Sequence, residues 1–207
     1  REKSYRENLL ERLGFGNPVE TGSIWVHAVS LGEFRASVPL INALLLRSEK
    51  ILITTITPAG REEALDTFNK EIATGKVFVR YLPLEFKFAF FKFFKIYRPR
   101  FGIILEIELW PMLIACSCKA GVPLVYAQAQ YVKKTFDRDK KFLRIRGSLL
   151  KGFNLILAKS DLHASRFQRF SNSPIFVTGE LRFEQKIPRN HIERAKTLKE
   201  TVIKKAQ

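Results

Sequence analysis

The chain has 207 residues, 46% of them hydrophobic and 27% charged, a balance that fits one globular core and excludes a disordered or fibrous chain. Lys and Arg outnumber Asp and Glu by 36 to 20, for a formal net charge of +16, and Phe occurs 18 times. That excess concentrates anionic partners (nucleic acid, an anionic lipid surface or a phosphorylated substrate), while no apolar run of ~18 residues offers a membrane-crossing helix.

A charged opening leads to the first of seven short apolar runs, IWVHAVS at 24–30. The others are ILITTIT (51–57), VFVRYLP (77–83), FGIILEI (101–107), PLVYAQA (123–129), LILAKS (155–160) and IFVTG (175–179). Their near-continuous apolar character predicts strands buried on both faces. Helical segments are predicted between them, at about 33–47, 59–70, 86–97, 110–119, 134–151 and 161–171. Strand and helix alternating in this way predict an α/β fold, a Rossmann-like doubly wound parallel sheet, over residues 1–184. The stretch from Gln185 to Gln207 holds one Lys- and Glu-rich helix with no strand after it and reads as a linker. Cys116 and Cys118, spaced C-x-C on a predicted helix with no further metal ligand beside them, read as reduced structural thiols, and no metal site is expected.

Ligands of doubly wound sheets sit at the carboxyl ends of the strands, so the residues just after each strand carry the candidates. The first strand runs into Ser30-Leu31-Gly32-Glu33-Phe34-Arg35, where Gly32 allows a tight turn and Glu33 falls at a helix start. A carboxylate held there by the helix dipole suits a general base, and it equally suits a purely structural helix charge. Thr54, Thr55 and Thr57, with Pro58 and Gly60, can cap the next helix or hold a phosphate or sugar oxygen. Glu106 and Glu108, two apart at the end of the fourth strand, share one face and demand either a salt bridge or a cleft. In Phe86–Arg98, a core stripe of Phe86, Ala89, Phe90, Phe93 and Ile96/Tyr97 leaves Phe88, Phe91 and Phe94 among Lys87, Lys92 and Lys95. That pattern describes a helix resting on an anionic membrane, or one packed on two sides.

Taken together, HAVSLGE, TTITPAG, YLPLE, EIELWP and VTGELRFE resemble, in order and spacing, the 3-deoxy-D-manno-octulosonic acid (Kdo) transferase family. Its usual forms are approximately HAVSVGE, TTxTxTG, YLPYD, ETELWP and VTGNLKFD, and the resemblance runs from the ERLGF segment to about residue 184. It implies one half of a GT-B glycosyltransferase, with an inverting, metal-independent mechanism and no cofactor. CMP-Kdo would be the donor, a lipid A precursor the acceptor, and the cytoplasmic face of the bacterial inner membrane the location. It also implies a membrane anchor ahead of this segment and a donor-binding domain after residue 207. Glu33 then maps to the family's base and Glu108 to a second catalytic carboxylate. Ser30, Gly32, Arg35, Thr55, Thr57, Gly60, Glu106, Lys133 and Lys134 are expected on the acceptor side, and Phe88, Phe91, Lys92, Phe94 and Lys95 at the membrane. Departures from the usual forms include Ile107, Met112, Glu180 and Gln130, the last standing where family members commonly carry Arg in NARLS. The rival readings are a basic nucleic-acid-binding domain, for which no RNP, KH or helix-turn-helix pattern is present, and a non-enzymatic adaptor.

Overall fold

The computed structural model describes residues 8–19, 21–106, 109–141 (side chains as far as 137) and 149–184, together with Glu193, Thr197 and Lys199. Among the described residues there are seven strands: β1 (Ile24–His27), β2 (Ile51–Thr55), β3 (Val77–Tyr81), β4 (Phe101–Leu105), β5 (Leu124–Ala129), β6 (Leu155–Ala158) and β7 (Ile175–Val177). They form one parallel sheet in the order β3-β2-β1-β4-β5-β6-β7. All seven coincide with the predicted runs. The helices are α1 (Leu9–Arg12), α2 (Leu31–Leu46), α3 (Pro58–Thr67), α4 (Asn69–Ala73), α5 (Lys87–Tyr97), α6 (Pro111–Ala120), α7 (Lys133–Lys141) and α8 (Asp161–Phe167), with a 3-10 turn at Leu181–Glu184. The helix expected over 59–70 is divided at Phe68. Residues 142–148 of the one expected over 134–151, and nearly all of the linker expected over 185–207, lie outside the described residues.

Alternation along the strands divides the apolar residues into two cores. Ile24, Val26, Ile51, Ile53, Val77, Val79, Ile103 and Leu105 face Phe34 and Ile41 of α2 and Ala64 of α3, with Phe68 just beyond it. Trp25, Leu52, Ile104, Tyr126 and Ile156 face the opposite way, toward Phe90, Phe93 and Phe94 of α5, Leu113 and Ile114 of α6, and Phe167 of α8. Both faces are therefore covered, as an all-parallel sheet requires. Each fully buried ring or branched chain contributes about 1.5–3 kcal/mol over its exposed state. Trp25 has room only because its neighbour on β4 is Gly102, where an added Cβ would stand 2.6 Å from the indole. Gly14 plays the same part for α5: a Cβ there would meet the Ala89 carbonyl oxygen, so the N-terminal segment lies flush on that helix.

α5 corrects one expectation. Its buried stripe is Ala89, Phe90, Phe93, Phe94 and Tyr97, so Phe94, expected at a membrane, is only 4% exposed. Phe94 meets Trp25 edge-on with ring centroids 5.8 Å apart. Phe86, expected in the core, lies before the helix in extended backbone, half exposed and stacked on Phe88. The apolar stripe of an amphipathic helix is more than 100° wide, and here the sheet takes both i+3 and i+4 positions after Phe90. Phe88 and Phe91 remain exposed, at 51% and 67%.

Candidate active site

Strands β1, β2 and β3 run to one side of the sheet and β4 to β7 to the other, so the order reverses between β1 and β4. The connections diverge at that point and leave a crevice outside the strand ends, the usual ligand position of open α/β sheets. Two of the expected carboxylates stand there, Glu33 after β1 and Glu106 after β4.

Glu33 is fixed by a capping box. Ser30, the N-cap of α2, accepts from the Glu33 amide at 3.3 Å, and Glu33 Oε2 accepts from the amides of Val29 at 2.6 Å and Ser30 at 3.4 Å. The reciprocal bonds satisfy otherwise unpaired amides and hold a carboxylate against the positive end of a 16-residue helix. Gly32 is exposed at this turn. Arg35, two positions on, points away toward α3, where it holds Glu63 in a bidentate pair at 2.8 and 3.1 Å. That pairing lowers the pKa of the Glu63 carboxyl.

The threonines divide into separate tasks. Thr57 caps α3 by accepting from the Gly60 amide at 3.2 Å. Gly60 itself is needed for the approach of the two helix starts, since a Cβ would lie 3.4 Å from Leu31 N and 3.0 Å from Thr57 Oγ1. Thr54 is wholly buried, accepting from Trp25 Nε1 at 2.7 Å, with His27 Nδ1 at 2.9 Å. Thr55 is also wholly buried, and its hydroxyl has no hydrogen-bond partner. The amides of Ile56 and Thr57 donate to Val29 O at 3.2 and 3.3 Å, tying the loop after β2 to the one after β1.

On the other side of the crevice lies a charge cluster that spans three strand ends. Glu106, in left-handed backbone with φ of 60°, accepts from Arg182 at 2.9 Å and lies 3.6 Å from Lys159 Nζ. Lys159 follows β6, is 11% exposed in its side chain, and also lies 3.5 Å from Glu180 and 3.4 Å from Gln130 Oε1. Gln128 is the second left-handed residue here, with φ of 52°, at the register shift between Tyr126 and Ala129 in β5. The bulge turns its amide toward the loop after β7, where it donates to Gly179 O at 3.0 Å and accepts from Leu181 N at 2.9 Å. Bulges of this kind re-aim side chains at sheet rims. Lys133 and Lys134 are exposed at the start of α7. Glu108, the other expected catalytic carboxylate, lies outside the described residues.

Several organising residues escape the strand-end reading of the sequence. Glu85, which closes YLPLE, accepts from the amides of Met112 at 2.9 Å and Leu113 at 3.2 Å and so caps α6 from another part of the chain. Glu11 binds Arg61 at 2.6 Å and the Tyr81 amide at 2.9 Å, while Arg12 lies over the Tyr81 ring and donates to Ile56 O. Lys159 was recoverable by the same strand-end rule that found Glu33; Glu85 and Glu11 have partners too distant in sequence for any local signal. Both cysteines are free, Cys116 buried and Cys118 exposed. Among the described residues no three His, Cys, Asp or Glu side chains converge as metal ligands.

A doubly wound parallel sheet with a carboxylate at the switch-point crevice makes this a Rossmann-like α/β unit. The solved structure of Glycyrrhiza uralensis UGT73P12 complexed with glycyrrhetinic acid 3-O-monoglucuronide shares that fold, with a TM-score of 0.51 at 8% identity over 78% of this chain and 49% of the other. The family model described as 3-deoxy-D-manno-octulosonic-acid transferase (kdotransferase) matches residues 7–185, and the chain belongs to that family. Among curated relatives, the 3-deoxy-D-manno-octulosonic acid transferase of Bordetella pertussis is 34% identical, over 80% of this chain and 39% of its own length. Those of Haemophilus influenzae and Aquifex aeolicus are 31% and 30% identical, over 87% and 78% of this chain and 43% and 41% of theirs. The chain thus spans about two-fifths of the length of these relatives.

Proposed function

We propose that this chain is the acceptor-binding half of an inverting glycosyltransferase that moves Kdo from CMP-Kdo to a lipid A precursor in lipopolysaccharide biosynthesis. The observation that carries the reading is the Glu33 carboxylate, held by main-chain amides at the strand-order reversal of a sheet whose family transfers Kdo. In the reaction Glu33 takes the proton from the acceptor sugar hydroxyl as its oxygen attacks the anomeric carbon of Kdo, and CMP departs from the opposite face with inversion. The helix N-terminus orients the carboxylate before substrate arrives, so little reorganisation accompanies proton transfer. Glu108 supports the site, and Ser30, Thr57, Glu106, Lys133 and Lys134 belong to its acceptor side, while Thr55, wholly buried, does not reach it. Donor binding falls to the remainder of the longer protein, and neither metal nor cofactor takes part. The acceptor is an anionic lipid, so this half works against the cytoplasmic face of the inner membrane, drawn there by its net charge of +16.

The test is Glu33→Gln in the full-length enzyme. The amide oxygen still accepts from Val29 and Ser30, so the capping box and the fold survive while the base is lost. Turnover is expected to fall by ~10²-fold or more, with acceptor binding retained. Near-normal turnover would remove Glu33 from the chemistry.

A further inference from the structure

Away from the crevice, α5 and α6 lie side by side and leave an open groove of about 1070 Å³ between them. That exceeds the roughly 300–1,000 Å³ of ordinary small-molecule sites. Its apolar walls come from Phe86, Phe88, Phe91 and Phe94, with Cys116 and Val122 on the α6 side. Its rim carries Lys87, Lys95, Arg98 and Lys119, and none of its lining residues is acidic. Phe91 is 67% exposed and Phe88 51%, so the helix presents exposed rings beside cations. Exposed apolar surface grouped in this way marks an interaction site rather than scattered surface hydrophobes.

We propose that this groove seats an acyl chain of an anionic bilayer phospholipid, with the lipid phosphate on the basic rim. Length and charge both favour that occupant. The 11 residues of α5 span roughly 16 Å at 1.5 Å per residue. One leaflet of a bilayer's hydrocarbon core is about 15 Å deep, half of the ~30 Å total. An acyl chain drawn up beside the helix therefore runs its length, and the rim places cations where a phosphate emerges. Stacked nucleic-acid bases fit less well. Phe86 and Phe88 already stack on each other at 5.7 Å and 11°, and Phe94 offers the groove a wall that is itself packed on Trp25. The inference deepens the membrane part of the functional reading and does not depend on which sugar is transferred.

The experiment uses the full chain with vesicles of phosphatidylcholine alone or mixed with phosphatidylglycerol, the latter with or without bromine on its acyl chains. Trp25 lies against the inner side of Phe94, so in a Trp110→Phe background, where Trp25 is the sole indole, a brominated chain in the groove quenches the fluorescence, whereas headgroup adhesion does not. Expected are association only with the anionic vesicles, quenching by the brominated lipid, and a tenfold or greater loss of both in Phe88→Ser/Phe91→Ser with an unchanged thermal midpoint. Lys95→Gln/Lys119→Gln is expected to weaken association and flatten its salt dependence. Association without quenching overturns the groove while leaving membrane attachment standing; absence of association overturns both and leaves the role of Glu33 untouched. A dimer in sedimentation that Phe91→Ser dissociates, or single-stranded RNA displacing the vesicles from the rings, overturns the lipid assignment.

Discussion

His27, the first residue of HAVSLGE, shows how a motif residue can act through burial instead of contact with substrate. The ring is wholly buried, its Nδ1 lies 3.1 Å from the Thr54 carbonyl, and its Nε2 has no hydrogen-bond partner. Removal from water disfavours the imidazolium, and the pKa is lowered to about 4. Unfolded, the same ring titrates near its ordinary value of about 6.5. Between those values the unfolded chain binds the proton and the folded one does not, so stability falls as pH falls from about 6.5 to about 4 and is fully present above that window. The loss attributable to this ring is about 3 kcal/mol. Proton NMR of the imidazole is expected to show His27 neutral at pH 5, and a midpoint near 6.5 would remove the ring from the acid response. Glu106 carries a different lesson at this scale. The spacing of Glu106 and Glu108 predicts paired or cleft-facing carboxylates, yet Arg182, which pairs with Glu106, lies 76 residues further along the chain. Nothing local in the sequence could have named it.

At the scale of the element, the strands were legible and the phase of α5 was not. A strand covered on both faces admits only apolar residues, so each run announces itself whatever lies around it. An aromatic-rich helix has no such contrast, because Phe86, Phe88, Phe90, Phe91, Phe93 and Phe94 are the same residue on every side. Only the contact of Phe94 with Trp25, and hence the docking of α5 on β1, decides which rings turn inward. Phe94→Ala is therefore expected to cost about 3–5 kcal/mol through the cavity left beside the indole. Phe91→Ala, at a ring 67% exposed, should stay within about 0.5 kcal/mol. Equilibrium urea unfolding of the two variants separates them, and equal losses would contradict this phase. The bulge at Gln128 was hidden for a related reason: QAQYV carries no Gly or Pro to mark left-handed backbone, and the cause is the distant loop that its amide holds.

At the scale of the whole molecule, the described residues form a complete two-faced sheet with a one-sided chemistry. Apolar cores lie on both faces of the seven strands, and the sheet has helices against each, so folding of the 207-residue chain is expected without further protein. Transfer needs more, because much of a transferase's rate comes from holding two reactants in one geometry. The crevice between β1 and β4 holds the Glu33 carboxylate proposed as base, flanked by the Glu106, Lys159, Glu180 and Arg182 cluster. The family relatives are about twice as long. The 207-residue chain is therefore expected to unfold cooperatively and to bind phosphorylated glycolipid, yet to form no product from CMP-Kdo and a lipid A precursor. Adding the remaining part of a full-length relative as a separate polypeptide should restore product if the two parts associate. Product from the chain unaided, measured by transfer of labelled Kdo into the lipid phase, would show that this sheet holds donor as well as acceptor. The division of labour between the two halves would then have to be abandoned, while the assignment of Glu33 as base would stand.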